Sequence, residues 1–478
     1  MACENMMKSE ECSMNNVQMP NMTLENIAKA CEGEYVGDET LATCTIAGAV
    51  TDSRQIEKDY LFIAIKGEKV DGHEFIPAVF EKGALAVLCE NELTDSAGPY
   101  IRVKSTKEAM KKLAAFYRRG LNLKVVGITG SVGKTSTKEM IASVLSEKYN
   151  VLKTAGNFNN EIGVPITIFR IRSEHEVAVL EMGISDYGEM DRLSTMVYPD
   201  ICVITNIGYC HLENLGTRDG VLQAKTECFS HMKEGGIAIL NGDDDKLCTK
   251  TKVNGSKTVF YGMGENENYS VYATNVRNLG FDGVRAQIHT PQGEFLAKIM
   301  IPGEHNIYNA LAATAVGLRL GLTLEQIEQG IAKTKAIAGR TNFINIGGMT
   351  VIDDCYNANP ISMKTSIQVL SHAEGRSIAV LGDMGELGED EHKLHREVGI
   401  CVGQQNIHTL FCTGELAQEY ATTARQTNPD VKIFYFSTRE EMTKVLLNYV
   451  REGDTILVKA SHFMEFSKVV EALSEKDV

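Results

Sequence analysis

Short apolar runs alternate with segments of helical periodicity over most of the chain. The runs EVAVLEMG, DICVITNIG and GGIAILNGD are each followed by a polar or helical segment. Continuous apolar runs of this length are typical of strands in parallel sheets that are covered on both faces. The alternation returns near the C-terminus in RSIAVLGDM, IHTLFCTG, VKIFYFS and DTILVKAS. The pattern therefore predicts an α/β protein with two doubly wound parallel sheets.

Breaks in this pattern divide the chain into three folded blocks, which agrees with about three domains for 478 residues. Residues 22–122 are predicted to form a small α/β domain. Residues 123–338 are predicted to form a parallel-sheet domain, with a β-rich excursion at 257–302 and helices at 306–320 and 323–333. Residues 339–478 are predicted to form a Rossmann-like domain. Residues 1–21 are polar and aperiodic, which predicts a disordered leader.

A glycine loop follows the first strand of the second block. Residues 125–136 read VVGITGSVGKTS, so a strand leads directly into Gly130, Gly133, Lys134 and Thr135. Glycines allow backbone N–H groups to converge on phosphate oxygens, and the lysine and hydroxyl suit outer phosphates and Mg²⁺. Ile128 stands where the general pattern has its first glycine. A simple glycine turn before a helix is the alternative, but the combination favours a nucleotide site.

Composition excludes several functional classes. The net charge of −15 argues against general binding of nucleic acid or anionic membranes. Twelve cysteines lack CxxC spacing, which favours reduced thiols over a disulfide framework or zinc site. No apolar run reaches the roughly 18 residues of a membrane span, and the first residues lack the apolar core of a signal peptide. We therefore expect a cytoplasmic protein, and a monomer.

Polar residues at predicted strand ends are candidates for chemistry, because ligands of open parallel sheets bind beyond the carboxyl edge. Glu181 ends the run EVAVLE and could supply an oxygen ligand to Mg²⁺; a solvated loop residue is the alternative. His211 follows the next strand and is equally compatible with a structural role. Lys225 lies on a predicted helix and carries no signal by itself, since most helix lysines are solvated.

Several motifs together resemble the Mur ligases, the ATP-dependent amide-forming enzymes of peptidoglycan assembly. The resemblance covers nearly the whole chain from residue 22. It is carried by TDSRQIEKDYLFIAIKGEKVDGHEF, GITGSVGKTSTKEM, GNFNNEIGVPITI, VLEMGISDYGEM, TNIGYCHLENLGTRDGVLQAKTE, GEHNIYNALAATAVG, AGRTNF, VIDDCYNANPISM and LGDMGELGEDEHKLHREVG. Within the family, DDCYNANPISM resembles the members that add D-alanyl-D-alanine to UDP-N-acetylmuramoyl-tripeptide.

The resemblance implies ATP and two Mg²⁺ ions as cofactors and an acyl-phosphate intermediate. It implies catalytic roles for Lys134, Glu181, His211 and Lys225. Metal ligands would be Thr135, Glu181, His211 and Lys225, the last if carbamylated; an unmodified Lys225 contacting phosphate is the alternative. The implied ATP-binding residues are Gly130, Ser131, Val132, Gly133, Lys134, Thr135, Ser136, Asn306, Asn309, Arg340 and Asp354.

The resemblance also implies two substrate-binding regions. The first domain would bind the UDP moiety through Ser53, Arg54, Lys66, Gly67, Asp71, Gly72 and His73. The peptide and the incoming dipeptide would contact Asn157, Asn160, Asn357, Asn359 and Ser362. Surface ion pairing is the alternative for the basic residues, and turn formation is the alternative for the asparagines. Other function classes remain open: a relative that adds a single amino acid, as folate-type ligases do, or a silent precursor-binding paralogue.

Overall fold

The computed structural model describes residues 18–405 and 407–476. The first sheet has five strands in the order β1-β5-β4-β3-β2. Strand β1 is antiparallel to β5, and the other neighbours are parallel. The elements are α1 (Leu24–Cys31), β1 (Glu34–Val36), β2 (Gly48–Val50), β3 (Tyr60–Ile63), α2 (Ile76–Glu81), β4 (Ala86–Cys89), β5 (Tyr100–Arg102) and α3 (Thr106–Arg119).

The end of the predicted leader belongs to the first domain. Met19 is fully buried, and its N–H donates to the Ile46 carbonyl at 3.0 Å. The prediction of disorder up to residue 21 was therefore wrong for residues 18–21, because a lone apolar side chain in a polar stretch gave no periodic signal. Residues 1–17 lie outside the described residues.

The central sheet has nine strands in the order β16-β15-β14-β13-β10-β9-β6-β8-β7. Its elements are β6 (Lys124–Thr129), α4 (Lys134–Leu145), β7 (Val151–Lys153), α5 (Gly163–Ile168), β8 (Val177–Glu181), α6 (Glu189–Val197), β9 (Ile201–Ile204), α7 (Leu212–Leu215), α8 (Arg218–Thr226), β10 (Ile237–Asn241), β11 (Lys252–Val253), β12 (Ser256–Lys257), β13 (Val259–Met263), β14 (Tyr269–Asn278), β15 (Val284–Thr290), β16 (Gly293–Ile299), α9 (His305–Arg319) and α10 (Leu324–Lys333). Strands β11 and β12 form a separate hairpin.

Topology places the glycine loop at a switch point of this sheet. The chain passes from β6 to β7 and β8 on one side and then to β9 on the other. Ligands of open α/β sheets bind at such points, beyond the carboxyl ends of the strands. The β-rich excursion joins the same sheet, because β13 is parallel to β10 and the β14-β15-β16 meander continues its edge.

The third sheet has six strands in the order β17-β18-β22-β19-β20-β21, parallel except for β17 against β18. Its elements are β17 (Asn342–Ile346), β18 (Met349–Asp353), α11 (Pro360–Leu370), β19 (Ser377–Gly382), α12 (Glu391–Gln404), β20 (Thr409–Thr413), α13 (Ala417–Thr427), β21 (Lys432–Phe436), α14 (Arg439–Tyr449), β22 (Thr455–Lys459) and α15 (Ser467–Glu475). The predicted α/β class with a doubly wound third sheet is confirmed.

The third domain is docked against the central domain. The Leu212 N–H donates to the Glu386 carbonyl at 3.0 Å. Ile361 lies over Gly208, where an added Cβ would be 2.6 Å from its Cδ1. These contacts enclose a cleft at the carboxyl edge of β6. No helix among the described residues is long and apolar enough to cross a membrane.

We predict that Met19→Ala lowers the free energy of unfolding by about 2–5 kcal/mol, because it leaves a cavity in the first domain. Urea unfolding of the variant and the parent measures this difference. Met300→Ala is the matched control, since Met300 is 48% exposed. Equal losses in the two variants would contradict the packing role of Met19.

Candidate active site

The cleft between the central and third domains has a volume of about 730 Å³. The central domain contributes the glycine loop, Glu181 and His211 to its lining. The third domain contributes Arg340, Asp354 and the segment that follows Asp354. Most of the predicted ATP-binding residues thus meet in one cavity, including Ser131, Val132, Gly133, Lys134, Thr135, Ser136 and Asn309.

The glycine loop depends on two glycines in positive-φ conformations. Gly130 has φ +147° and Gly133 has φ +80°, and Gly133 is the N-cap of α4. At Gly130, an added Cβ would lie 1.9 Å from the Thr205 hydroxyl. Both the backbone conformation and the space therefore require glycine at 130. The first N–H groups of α4 are left pointing toward the cleft, which is the arrangement that binds phosphate.

Two residues after β9 hold the loop from the other side. The Asn206 side chain accepts from the Val132 N–H at 3.0 Å and donates to the Val132 carbonyl at 3.0 Å. The Thr205 hydroxyl donates to the same carbonyl at 2.6 Å. The valine at position 132 is thus fixed through its backbone, and its side-chain type matters little to the shape of the loop.

Lys134 lies at the start of α4, where its ammonium donates to the Gly130 carbonyl at 2.8 Å. The pKa of Lys134 is lowered to about 8, mainly because the ammonium is buried and secondly because the positive charge of Lys225 is nearby. Anionic phosphates in the cleft would offset both effects, because they favour the protonated ammonium.

Glu181 ends β8 and is almost completely buried. Its Oε1 accepts from the Thr135 hydroxyl at 3.2 Å and from the Asn159 amide at 2.9 Å. Its Oε2 has no hydrogen-bond partner among the described residues, and the Lys138 ammonium is 3.8 Å away. A buried carboxylate oxygen with unused lone pairs, beside a hydroxyl, fits Mg²⁺. No three His, Cys, Asp or Glu side chains within the described ranges could hold a metal ion together.

His211 also lines the cleft and is the N-cap of α7, with φ +52°. Its Nδ1 lies 2.6 Å from Oε2 of Glu386, which belongs to the third domain. This is the distance of an ion pair, but the angles are not those of a hydrogen bond, so Nδ1 has no hydrogen-bond partner among the described residues. Lys225 does not line the cleft: it is 1% exposed on α8, close enough to Lys134 to affect its pKa.

The two asparagines among the predicted ATP-binding residues have different positions. Asn309 lines the cleft and accepts from the Thr137 hydroxyl at 2.7 Å. Asn306 lies behind it, 2% exposed; its amide donates to the Pro302 carbonyl at 2.9 Å and its oxygen accepts from Asn309 at 2.9 Å. Asn306 thus orients Asn309 and does not line the cleft.

Arg340 and Asp354 face the cleft from the third domain. The Arg340 guanidinium stacks 3.9 Å from the centroid of the Tyr356 ring. The Asp354 carboxylate accepts from the Thr341 N–H at 3.0 Å, the Ser366 hydroxyl at 2.5 Å and the Lys459 ammonium at 2.6 Å. Burial lowers the pKa of Lys459, and the negative charge of Asp354 opposes this effect. The ion pair therefore holds the Asp354 side chain in place directly after the buried end of β18.

The predicted dipeptide residues Asn357, Asn359 and Ser362 line the cleft. Asn359 and Ser362 form a reciprocal capping box at the start of α11, with bonds of 2.9 and 3.1 Å. Asn160 lines the cleft but uses its side-chain oxygen to accept from the Ile162 and Gly163 N–H groups. Asn157 is exposed and lies outside the lining. Turn and cap formation, the structural alternative, is thus observed for two of these asparagines, Asn160 and Asn359.

None of the predicted UDP-contacting residues lines the cleft. Arg54 is exposed and paired with Asp52 at 2.7 Å, beside Ser53. His73 bridges the Asp71 carboxylate at 2.7 Å and the Glu90 N–H at 3.0 Å. Residues 65–72 form a turn closed by backbone hydrogen bonds. The Gly67 N–H donates to the Val70 carbonyl and the Gly72 N–H donates to the Ile65 carbonyl, both at 2.9 Å. Lys66 and Asp71 form an antiparallel bridge across the same turn.

Sequence reasoning did not single out Thr205, Asn206, Tyr356 and Lys459 as site residues. Asn206 and Lys459 lie at the carboxyl ends of β9 and β22, so the strand-end rule that identified Glu181 could have found them. Tyr356 had no such signal, because its role depends on the side-chain position of Arg340.

Models of three Mur ligase domains match the chain: a catalytic domain at residues 45–118, the middle domain at 128–317 and the glutamate ligase domain at 339–462. The chain belongs to the Mur ligase family.

Individual proteins of this family are similar to the chain over most of its length. The UDP-N-acetylmuramoyl-tripeptide–D-alanyl-D-alanine ligase of Bacillus subtilis is 36% identical and covers 96% of this chain and 99% of its own length. A crystal structure of MurF from Acinetobacter baumannii superposes with a TM-score of 0.85 at 34% identity, covering 96% and 100% of the two chains. MurF of Thermotoga maritima in complex with ADP has a TM-score of 0.78 at 30% identity, covering 90% and 97%.

We predict that Gly130→Ala abolishes detectable ADP binding, because the methyl group would collide with Thr205 and displace the loop. Isothermal titration calorimetry measures the affinity of the variant and the parent. Gly264→Ala is the matched control: Gly264 also has positive φ (+76°), but apart from its chain neighbours no atom of the described residues lies within 4 Å of its added Cβ. An unchanged affinity of Gly130→Ala would show that the loop does not bind nucleotide.

Proposed function

We propose that this protein joins D-alanyl-D-alanine to UDP-N-acetylmuramoyl-tripeptide with hydrolysis of ATP to ADP and phosphate. The observation that carries the proposal is the glycine loop beside Oε2 of Glu181, which makes no hydrogen bond within the described residues, in a cleft closed by a second α/β domain. The relatives whose names specify this reaction match almost the entire chain. A solved relative contains ADP, which supports ATP as the energy source.

The reaction needs activation because a carboxylate does not form an amide at neutral pH. The terminal carboxylate of the tripeptide attacks the γ-phosphorus of ATP, the bond to the ADP oxygen breaks, and an acyl phosphate forms. The amine of the dipeptide then attacks the carbonyl carbon, phosphate leaves, and the amine loses a proton. Charge builds on the phosphoryl oxygens, so catalysis depends on cations and N–H donors fixed beforehand.

Residues of this chain supply those groups. Lys134 and the N–H groups at the start of α4 would bind the phosphates, and Arg340 would approach them from the third domain. Arg340 has no side-chain hydrogen bond or ion pair within the described part of the chain, so its donors are available. Asp354 would contact the ribose, and Asn309 the adenine edge.

Magnesium fits the donors at the carboxyl edge of the sheet. Thr135 and Glu181 would hold one ion, and His211 with a carbamylated Lys225 would hold a second. Bound Mg²⁺ would neutralise phosphate charge and orient the phosphoryl group.

We assign the remaining substrate contacts on the same basis. The 53–54 and 66–73 turns would bind the UDP moiety, while residues 357–362 would contact the dipeptide. A monomer in the cytoplasm would have access to ATP and to the soluble nucleotide precursor. The reaction would complete the UDP-muramoyl-pentapeptide.

Phosphate release tests this function directly. We expect release from ATP in the presence of UDP-N-acetylmuramoyl-tripeptide to depend on D-alanyl-D-alanine, with L-alanyl-L-alanine as the control. A single amino acid that replaces the dipeptide would instead identify a ligase of the other type. Absence of turnover with retained nucleotide binding would identify a silent precursor-binding protein.

Carbamylation of Lys225 predicts that Lys225→Ala loses most activity and that added short carboxylates restore part of it. The added carboxylate would replace the missing oxygen ligand. Lys233→Ala is the control, because Lys233 is nearly half exposed. Full activity of Lys225→Ala, or loss without any rescue, would contradict carbamylation.

A further inference from the structure

His211 and Glu386 meet across the boundary between the central and third domains. Glu386 follows β19 in the segment LGDMGELG and is more than half exposed, whereas His211 is mostly buried. The His211 Nδ1 is 2.6 Å from the Glu386 Oε2. The mechanism described above gives Glu386 no role.

Backbone contacts fix both residues at this point. The Leu212 N–H donates to the Glu386 carbonyl at 3.0 Å. His211 and Glu386 both have left-handed backbone conformations, with φ of +52° and +59°. Such conformations are uncommon for residues other than glycine and persist where the surrounding structure imposes them. The contact between the two domains therefore fixes the backbone positions from which both side chains extend.

The chemistry of metal-bound histidine explains why a carboxylate would be placed there. A histidine that binds a metal through one ring nitrogen commonly donates the N–H of the other to a carboxylate, which fixes the tautomer and the ring orientation. Nδ1 of His211 is the ring nitrogen beside Glu386, and Nε2 makes no hydrogen bond within the described residues, although His211 lines the cleft. The present angles are not those of a hydrogen bond, but the two atoms are within hydrogen-bonding distance and the Glu386 side chain is more than half exposed.

We propose that Glu386 is a positioning residue that the third domain contributes to the metal site of the central domain. Its carboxylate accepts the Nδ1–H of His211 and directs Nε2 toward the second Mg²⁺. The second ion is then bound tightly only when the third domain is docked. This inference rests on the proposed function for the identity of the metal, but it does not depend on which amine is joined.

Manganese binding tests the proposal without turnover. Mn²⁺ is titrated into the full chain with a non-hydrolysable ATP analogue and UDP-N-acetylmuramoyl-tripeptide, and free Mn²⁺ is measured by electron paramagnetic resonance. Glu386→Ala removes the carboxylate and keeps the backbone bond from Leu212. Glu389→Ala is the matched control, because Glu389 is an exposed glutamate only three residues further along the chain. Small-angle X-ray scattering of each sample measures docking of the third domain.

We expect two ions in the parent and in Glu389→Ala. In Glu386→Ala the first ion should bind as in the parent and the second about 10- to 100-fold more weakly, as for other residues that support metal ligands. The scattering profile should be unchanged. Unchanged binding of both ions would overturn the proposal. An expanded profile in Glu386→Ala would also overturn it, because Glu386 would then act in docking alone. A parent that binds one ion would contradict the metal assignment of the proposed function itself.

Discussion

Burial of charge at one edge of the central sheet is the constraint on which the rest of this structure depends. Glu181 is 1% exposed, and its Oε2 has no hydrogen-bond partner among the described residues; Lys134 and Lys138 lie near it, and Lys225 lies near Lys134. Isolated buried charges are costly, so these groups must compensate one another or be compensated by a ligand. The arrangement suits a site that receives phosphates and Mg²⁺ together, because each ligand charge meets an opposite charge already in place.

In the third domain, on the other side of the cleft, charged side chains are likewise compensated or supported by their neighbours. Lys459 neutralises Asp354 at 2.6 Å, and the aromatic ring of Tyr356 supports the Arg340 guanidinium. Both acidic and basic groups are thus fixed before a ligand enters, which reduces the reorganisation required during the reaction. Because part of the lining comes from a separate domain, the site is complete only when that domain is docked.

Strand periodicity and strand-end position predicted a large part of the site. Glu181 and His211 were found because both follow apolar runs, and the glycine loop was found because its residues are contiguous. The same information could not distinguish a ligand-binding asparagine from one that caps a helix. Asn160, Asn359 and Asn306 all form internal hydrogen bonds, and only coordinates reveal which lone pairs are already used. The roles of the remaining predicted contacts stay predictions.

By itself the sequence determined the α/β class, the glycine loop and the order of the domains, since these depend on local periodicity and on contiguous residues. It also carried the motifs that resemble the Mur ligases. Only the tertiary structure decided that Met19 packs in a core, that Asn206 holds the loop, and that Glu386 lies beside His211. In each case the residues in contact are far apart in sequence and belong to different parts of the fold. Their contacts arise from the switch-point topology of the central sheet and from the docking of the third domain, which no local pattern encodes.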